Sequence, residues 1–296
     1  MYSAYRQFVS FAVGGAVVLT ALGGGAAVAR SLKDHKPHKG VTRAHSMPVQ
    51  GIDVSYWQGD IDWQRVRGAG IHFAFIKATE GGDHLDPKFR QNRHAAKRAG
   101  IARGAYHFIY WCRPASEQAA WFIRNVPNDP DALPPVLDLE WHPFSKTCPK
   151  RVSRSLALKK IKIILAAMER HTGKRPIIYT DPNFHRDILK GELKDYHFWL
   201  RTVAAEPHKK YPGRKWAFWQ FTTTGIVPGV PGKVERNIFN GSWSDWNLVL
   251  IWLEASGTGR GAQTASRYDA PSELSWEFCS GVSCAAPSGK TPRPFR

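Results

Sequence analysis

The chain has 296 residues, with 42 Lys and Arg against 24 Asp and Glu, a formal net charge of +18 and 43% hydrophobic residues. That apolar content supports a real core and excludes a wholly disordered chain, and the length suits one large barrel or two modest domains. The basic excess reads either as a solvated surface or as attraction to a polyanion (an acidic wall polymer, a membrane or nucleic acid), and charge alone does not choose.

Residues 8–29 form an uncharged apolar run of 22 residues behind Arg6, ending in Ala27-Val28-Ala29. The small-x-small ending fits a signal-peptidase site, and the length also fits a membrane span. Residues 1–29 are therefore read as a signal peptide or a membrane anchor. Either implies export, to the outside, the periplasm or the membrane surface. Residues 30–48 are basic, polar and aperiodic, and read as a linker. Residues 255–296, rich in Ser, Gly, Ala and Pro, read as an irregular tail.

Between them, residues 49–254 alternate strand and helix signals. Strands are predicted at 49–55, 72–78, 102–108, 135–140, 176–180, 197–201, 216–221 and 234–239. Helices are predicted at 60–68, 86–99, 115–126 and 152–172, with further candidates at 182–190 and 244–254. The helix over 152–172 has Ser153 as N-cap, apolar residues at three-to-four spacing and Gly173 as its stop. Short apolar runs separated by helical patterns are the mark of crossover units and a parallel sheet. The fold class is thus α/β: an irregular TIM-like β/α barrel with eight strands and fewer helices. Sites in such barrels lie at the C-terminal ends of the strands.

Acids fall at those predicted ends: Asp53, Glu80, the pair Asp138 and Glu140, and Glu235. In Asp138-Leu139-Glu140 both carboxylates point to one face, about 6–7 Å apart at Cα. Their repulsion favours a retained proton on one of them. Converging carboxylates suit glycosidic bond cleavage, in which one is a protonated donor and another stays ionised. A solvated strand end, a salt bridge or a turn cap explains each acid taken singly. Aromatic residues crowd the same ends, among them Tyr56, Tyr106, Trp141, Tyr179, Trp199 and Trp219. Each alone reads as core, but together beside carboxylates they suit a sugar groove. Alternation allows only one of Tyr106 and His107 to face the site, and Tyr106 is favoured.

Four cysteines fit an exported chain. Three pairings are possible; Cys112–Cys148 with Cys279–Cys284 is preferred, because the first two follow predicted strands and the last two are close in sequence. No spacing suits a metal, so neither metal nor cofactor is expected.

With these residues assembled, the chain resembles glycoside hydrolase family 25, the lysozymes of Chalaropsis type. The resemblance runs from about Val49 to Asn240 through GIDVSYWQG, FAFIKATEG with Asp86-Pro87-Lys88-Phe89, GAYHF, PPVLDLEW, PIIYT, FWLR and WAFWQF. It implies a barrel that hydrolyses the β-1,4 bond between N-acetylmuramic acid and N-acetylglucosamine in peptidoglycan. By matching motif, Glu140 is similar to the general acid. Asp138 is similar to its partner, orienting the substrate acetamido group or stabilising the charged transition state. Asp53 and Glu80 match further acids of the site, and Tyr106 a group near the reacting sugar. The family usually has V-D-x-N where this chain has Val234-Glu235-Arg236-Asn237, and His84 also departs from the pattern. Retaining and inverting outcomes both stay open, with acetamido participation preferred.

The resemblance implies peptidoglycan strands as partner, in a monomer, with anionic envelope polymers attracted by the charge. A non-catalytic glycan-binding barrel and a chitin hydrolase are the alternatives. A polyanion binder is disfavoured, since no nucleic-acid motif is present.

Overall fold

Each predicted strand forms, and the strands close on themselves. The computed structural model describes residues 32–257. In chain order its strands are β1 (Lys33–Asp34), β2 (Gln50–Val54), β3 (Ile71–Glu80), β4 (His84–Leu85) and β5 (Ala102–Phe108). These are followed by β6 (Val136–Leu139), β7 (Ile177–Thr180), β8 (Phe198–Arg201), β9 (Phe218–Ile226) and β10 (Lys233–Phe239). The barrel runs β2-β3-β5-β6-β7-β8-β9-β10, and β10 returns to β2. Pairs from β2 to β9 are parallel, while β10 is antiparallel to both neighbours.

The helices are α1 (Thr42–Ser46), α2 (Trp63–Gly68), α3 (Phe89–Arg98), α4 (Ala115–Asn125) and α5 (Arg154–Thr172), then α6 (Pro182–Phe184), α7 (Pro207–Lys210) and α8 (Trp243–Gly257). The crossovers after β7 and β8 hold only the short α6, a π turn and α7, which makes the barrel irregular as expected. Helix α5 starts where the Ser153 side chain accepts the Leu156 amide, and stops at Gly173 with φ 66°, a left-handed conformation that suits glycine.

Alternation sorts the strand side chains into two layers. Phe73, Phe75, Val136, Tyr179, Trp199 and Phe218 fill the barrel interior, whereas Ile52, Ala74, Ile76, Leu137, Ile178 and Leu200 meet the helices. Inside, the Phe75 and Trp199 rings stack at 4.5 Å, and Tyr179 meets Trp199 edge-on at 4.5 Å. Gly51 makes room for this packing, because a Cβ there would lie 2.4 Å from the Phe73 ring. Trp246 of α8 plugs the bottom against Phe73 and Phe239. The top is left for polar groups.

Two expectations need correction. Part of the segment read as a linker belongs to the fold: β1 pairs with β9, and α1 packs on the barrel with Val41 and Ala44 fully buried beside Phe221 and Ile238. Glu235 was expected near the C-terminal end of its strand. Because β10 runs antiparallel, it instead reaches the top of the barrel from near the strand's start, opposite Asp53. The apolar run 8–29 and the Cys279–Cys284 pair lie outside the described residues. Among the described residues, no helix is long and apolar enough to cross a membrane.

Candidate active site

Inward alternation at the upper strand ends gathers the acids. On β2, Asp53 is buried and its Oδ2 accepts two side-chain amides, from Gln220 of β9 at 2.9 Å and Asn237 of β10 at 2.8 Å. Each amide is oriented in turn. The Tyr179 hydroxyl donates to Gln220 Oε1 at 2.9 Å, and the Trp199 indole N–H donates to Asn237 Oδ1 at 2.8 Å. Since both carbonyl oxygens are taken, both NH2 groups must face Asp53. Burial pushes the Asp53 carboxyl up to about 6, against the pull of these two donors.

Asp138 on β6 is buried, and its Oδ1 has no hydrogen-bond partner among the described residues. Burial, and then the neighbouring Glu140, raise it well above the ordinary carboxylate range, and Lys77 opposes them. Glu140 is half-buried just beyond the strand. Burial, then the charge of Asp181 and a hydrogen bond to it, push it up to about 7. Glu235, the cross-strand neighbour of Asp53, is pushed up to about 8, first by burial and then by Asp53. Tyr106 stands in the same field: burial and then Asp53, Asp138 and Glu235 hold its hydroxyl protonated far above neutrality.

The floor of the site is therefore crowded with carboxyls in poor solvent. They cannot all ionise near neutral pH, so protons are retained there. Such a cluster can both donate a proton and stabilise positive charge.

Other sequence candidates fall nearby with different partners. Glu80 ends β3, where Lys77 and Tyr110 both bond its carboxylate and the net effect lowers its pKa despite burial. Tyr56 is half-buried beside the exposed Trp57, the two rings 4.5 Å apart. Trp141 packs on Trp111 and Phe184 and donates its indole N–H to Asp187 at 2.9 Å. Tyr179 and Trp199 are buried, so they act on Asp53 through Gln220 and Asn237 rather than as open platforms.

Trp219 is a correction. It is fully buried on the outer layer with Val41 and Phe221, and its indole N–H reaches the Thr202 carbonyl at 2.8 Å. Alternation in Phe218-Trp219-Gln220 sends Trp219 away from the barrel interior. His107 is a buried packing residue whose Nδ1 lies 2.8 Å from Thr79 Oγ1.

Sequence reasoning missed Asp181, Arg201, Gln220 and Asn237. Arg201, Gln220 and Asn237 sit at inward strand positions two residues from an inward aromatic, and Asp181 directly follows β7, two residues beyond Tyr179. Asp181 also caps α6 by accepting the Phe184 amide at 2.7 Å.

The predicted disulfide Cys112–Cys148 forms and ties the loop after β5 to the loop after β6. Between these loops, the Trp111 indole N–H donates to the Glu140 carbonyl at 2.7 Å, fixing the backbone of the acid. A recess of about 410 Å³, open solvent included, lies at the opposite end of the barrel, but there Arg93 and Arg103 are paired with Asp129 and Asp131. Among the described residues no cluster could hold a metal ion.

A closed β/α barrel with buried carboxyls gathered at its mouth fits a glycoside hydrolase. The comparisons give the family: residues 52–230 match the model for glycosyl hydrolases family 25, and the chain belongs to that family. It is 36% identical over 234 residues to Lysozyme M1 of Streptomyces globisporus, covering 75% of this chain and 78% of that one. It is 39% identical over 205 residues to the uncharacterized protein YegX of Escherichia coli K12, covering 67% and 71%. Among solved structures, a family 25 glycosyl hydrolase from Bacillus anthracis superposes with TM-score 0.66 and 32% identity, covering 73% of this chain and 98% of that chain. The stretch matched by the family model ends before Glu235.

Proposed function

We propose that the protein is an exported muramidase that hydrolyses the β-1,4 bond between N-acetylmuramic acid and N-acetylglucosamine in peptidoglycan. Similarity to Lysozyme M1 supports the substrate class. Glu140 is the general acid: burial and Asp181 keep it protonated up to about 7, so it can donate to the leaving oxygen as the glycosidic bond breaks. The observation that carries the reading is Asp138 beside it, with a buried Oδ1 that has no hydrogen-bond partner among the described residues. An orphaned buried acceptor is costly unless a ligand completes it.

An acetamido N–H of the substrate would complete Asp138, turning the acetamido oxygen toward the carbon where positive charge develops. Asp53, held by two amides, adds negative potential near that charge, while Glu235 beside it keeps its proton up to about 8. Tyr106 and Glu80 line the approach. The net charge of +18 favours the anionic wall.

Digestion of purified sacculi, with the reducing-end sugar identified by mass spectrometry, tests the bond assignment. A muramic reducing end is expected. A glucosamine end, or cleavage of chitin in preference to sacculi, would overturn it.

A further inference from the structure

One cation of the cleft, Arg201, makes no ion pair with any described residue. Arg201 ends β8, where Phe198 and Leu200 pack toward the helices and Trp199 points inward, so Arg201 points inward as well. Its neighbour across β9 is Gln220, which donates to Asp53. The Tyr211 hydroxyl holds its main-chain carbonyl at 2.5 Å, so the strand end is fixed.

The guanidinium is half-buried and within electrostatic reach of Asp53, Glu140, Asp181 and Glu235. It nevertheless makes no ion pair and no side-chain hydrogen bond with any described residue. Neighbouring cations are engaged: Lys77 with Glu80, Arg151 and Arg186 with Asp187, and Arg214 with the Leu189 and Glu192 carbonyls. The surrounding acids offset the charge of Arg201 from a distance but leave its donors unused. A rigid fork of N–H donors in a partly dried cleft matches a carboxylate in both charge and shape.

We propose that Arg201 is an anion-binding residue of the cleft, receiving a carboxylate of the substrate. This rests on the muramidase reading. The muramic residue of such a strand carries a lactyl carboxyl, free where the peptide is absent and converted to an amide where it is attached. The attached peptide brings carboxylates of its own. The ligand chemistry is the same in both cases, and the test separates the two sources.

Reducing ends released by the full chain are followed as kcat/KM on two pairs of substrates. One pair is peptide-free strands with the lactyl carboxyl free or converted to a neutral amide. The other is peptide-bearing strands with the peptide carboxyls free or amidated. The wild-type chain is expected to prefer the charged member of one pair by about 10- to 100-fold, the range for one hydrogen-bonded charge contact. The pair showing the preference identifies the carboxylate. Arg201→Gln is expected to erase the preference, read as the ratio of kcat/KM between the two members of a pair, and Arg201→Lys to restore part of it.

Equal cleavage within both pairs by the wild-type chain overturns the proposal without recourse to any variant. So does an equal loss by Arg201→Gln on charged and neutral members, which would leave Arg201 as support for the acids alone. Failure of the wild-type chain to cleave any of the four strands would overturn the muramidase reading and this inference with it.

Discussion

At the scale of single residues, the site is organised by protons that the fold will not release. Glu235 shows the cost. Its carboxyl has an ordinary value of 4.5 and is pushed up to about 8 by burial and by Asp53. A raised value means the folded chain holds the proton more tightly than the unfolded chain. The associated stability is fully present below about pH 4.5 and is lost as pH rises through about 8. Glu235→Gln removes that loss. The variant is therefore expected to exceed the wild-type chain by on the order of 2 kcal/mol near pH 8, shrinking toward zero near pH 4. Thermal unfolding at both pH values checks this, and a gain that is larger in acid would contradict it.

Residue-scale reasoning also explains what the sequence revealed. Asp138 and Glu140 were legible because strand alternation puts them on one face whatever the rest of the fold does. Asp181 and Arg201 obey the same alternation, counted from Tyr179 and Trp199, at strand ends predicted at 180 and 201, but neither stands in a paired-acid motif that would single it out. Trp219 was misassigned because composition, not alternation, drew it into the site.

At the scale of elements, the loops above the barrel depend on one covalent tie. Cys112–Cys148 joins the loop that carries Trp111 to the loop that follows Glu140. Replacing both cysteines by serine is expected to cost about 2–4 kcal/mol, mainly by freeing the unfolded chain. It should also lower turnover, because the Glu140 carbonyl loses the anchored indole that fixes it. Thermal unfolding and cell-wall clearing rates of the double variant measure both effects. Unchanged values for both would show that the loops hold themselves.

The elements that escaped sequence reading share a physical cause. The segment containing β1 and α1 has few apolar residues and no periodicity, so only its burial of Val41 and Ala44 against the outside of β9 and β10 reveals it. The reversed direction of β10 is equally silent in sequence, since a strand's hydrophobic pattern is the same in either direction. The eight barrel strands and the capped helix α5 were legible because period and punctuation agreed there.

At the scale of the molecule, the barrel separates two tasks. Its lower interior is filled by Phe73, Phe75, Trp199 and the Trp246 plug, which support the strands mechanically. Its upper end holds carboxyls whose burial is unfavourable for stability and useful for proton transfer. A protein selected for stability alone would have no reason to bury this group of acids. We propose that one of them, Glu140, supplies the proton that breaks the glycosidic bond.

Clearing of purified cell walls by Glu140→Gln, compared with the wild-type chain, tests this role. The amide keeps the hydrogen bond to Asp181 but has no proton to give. A loss of at least about 100-fold in clearing rate is expected, with a melting temperature equal to or above that of the wild-type chain. Clearing at the wild-type rate by the folded variant would contradict it.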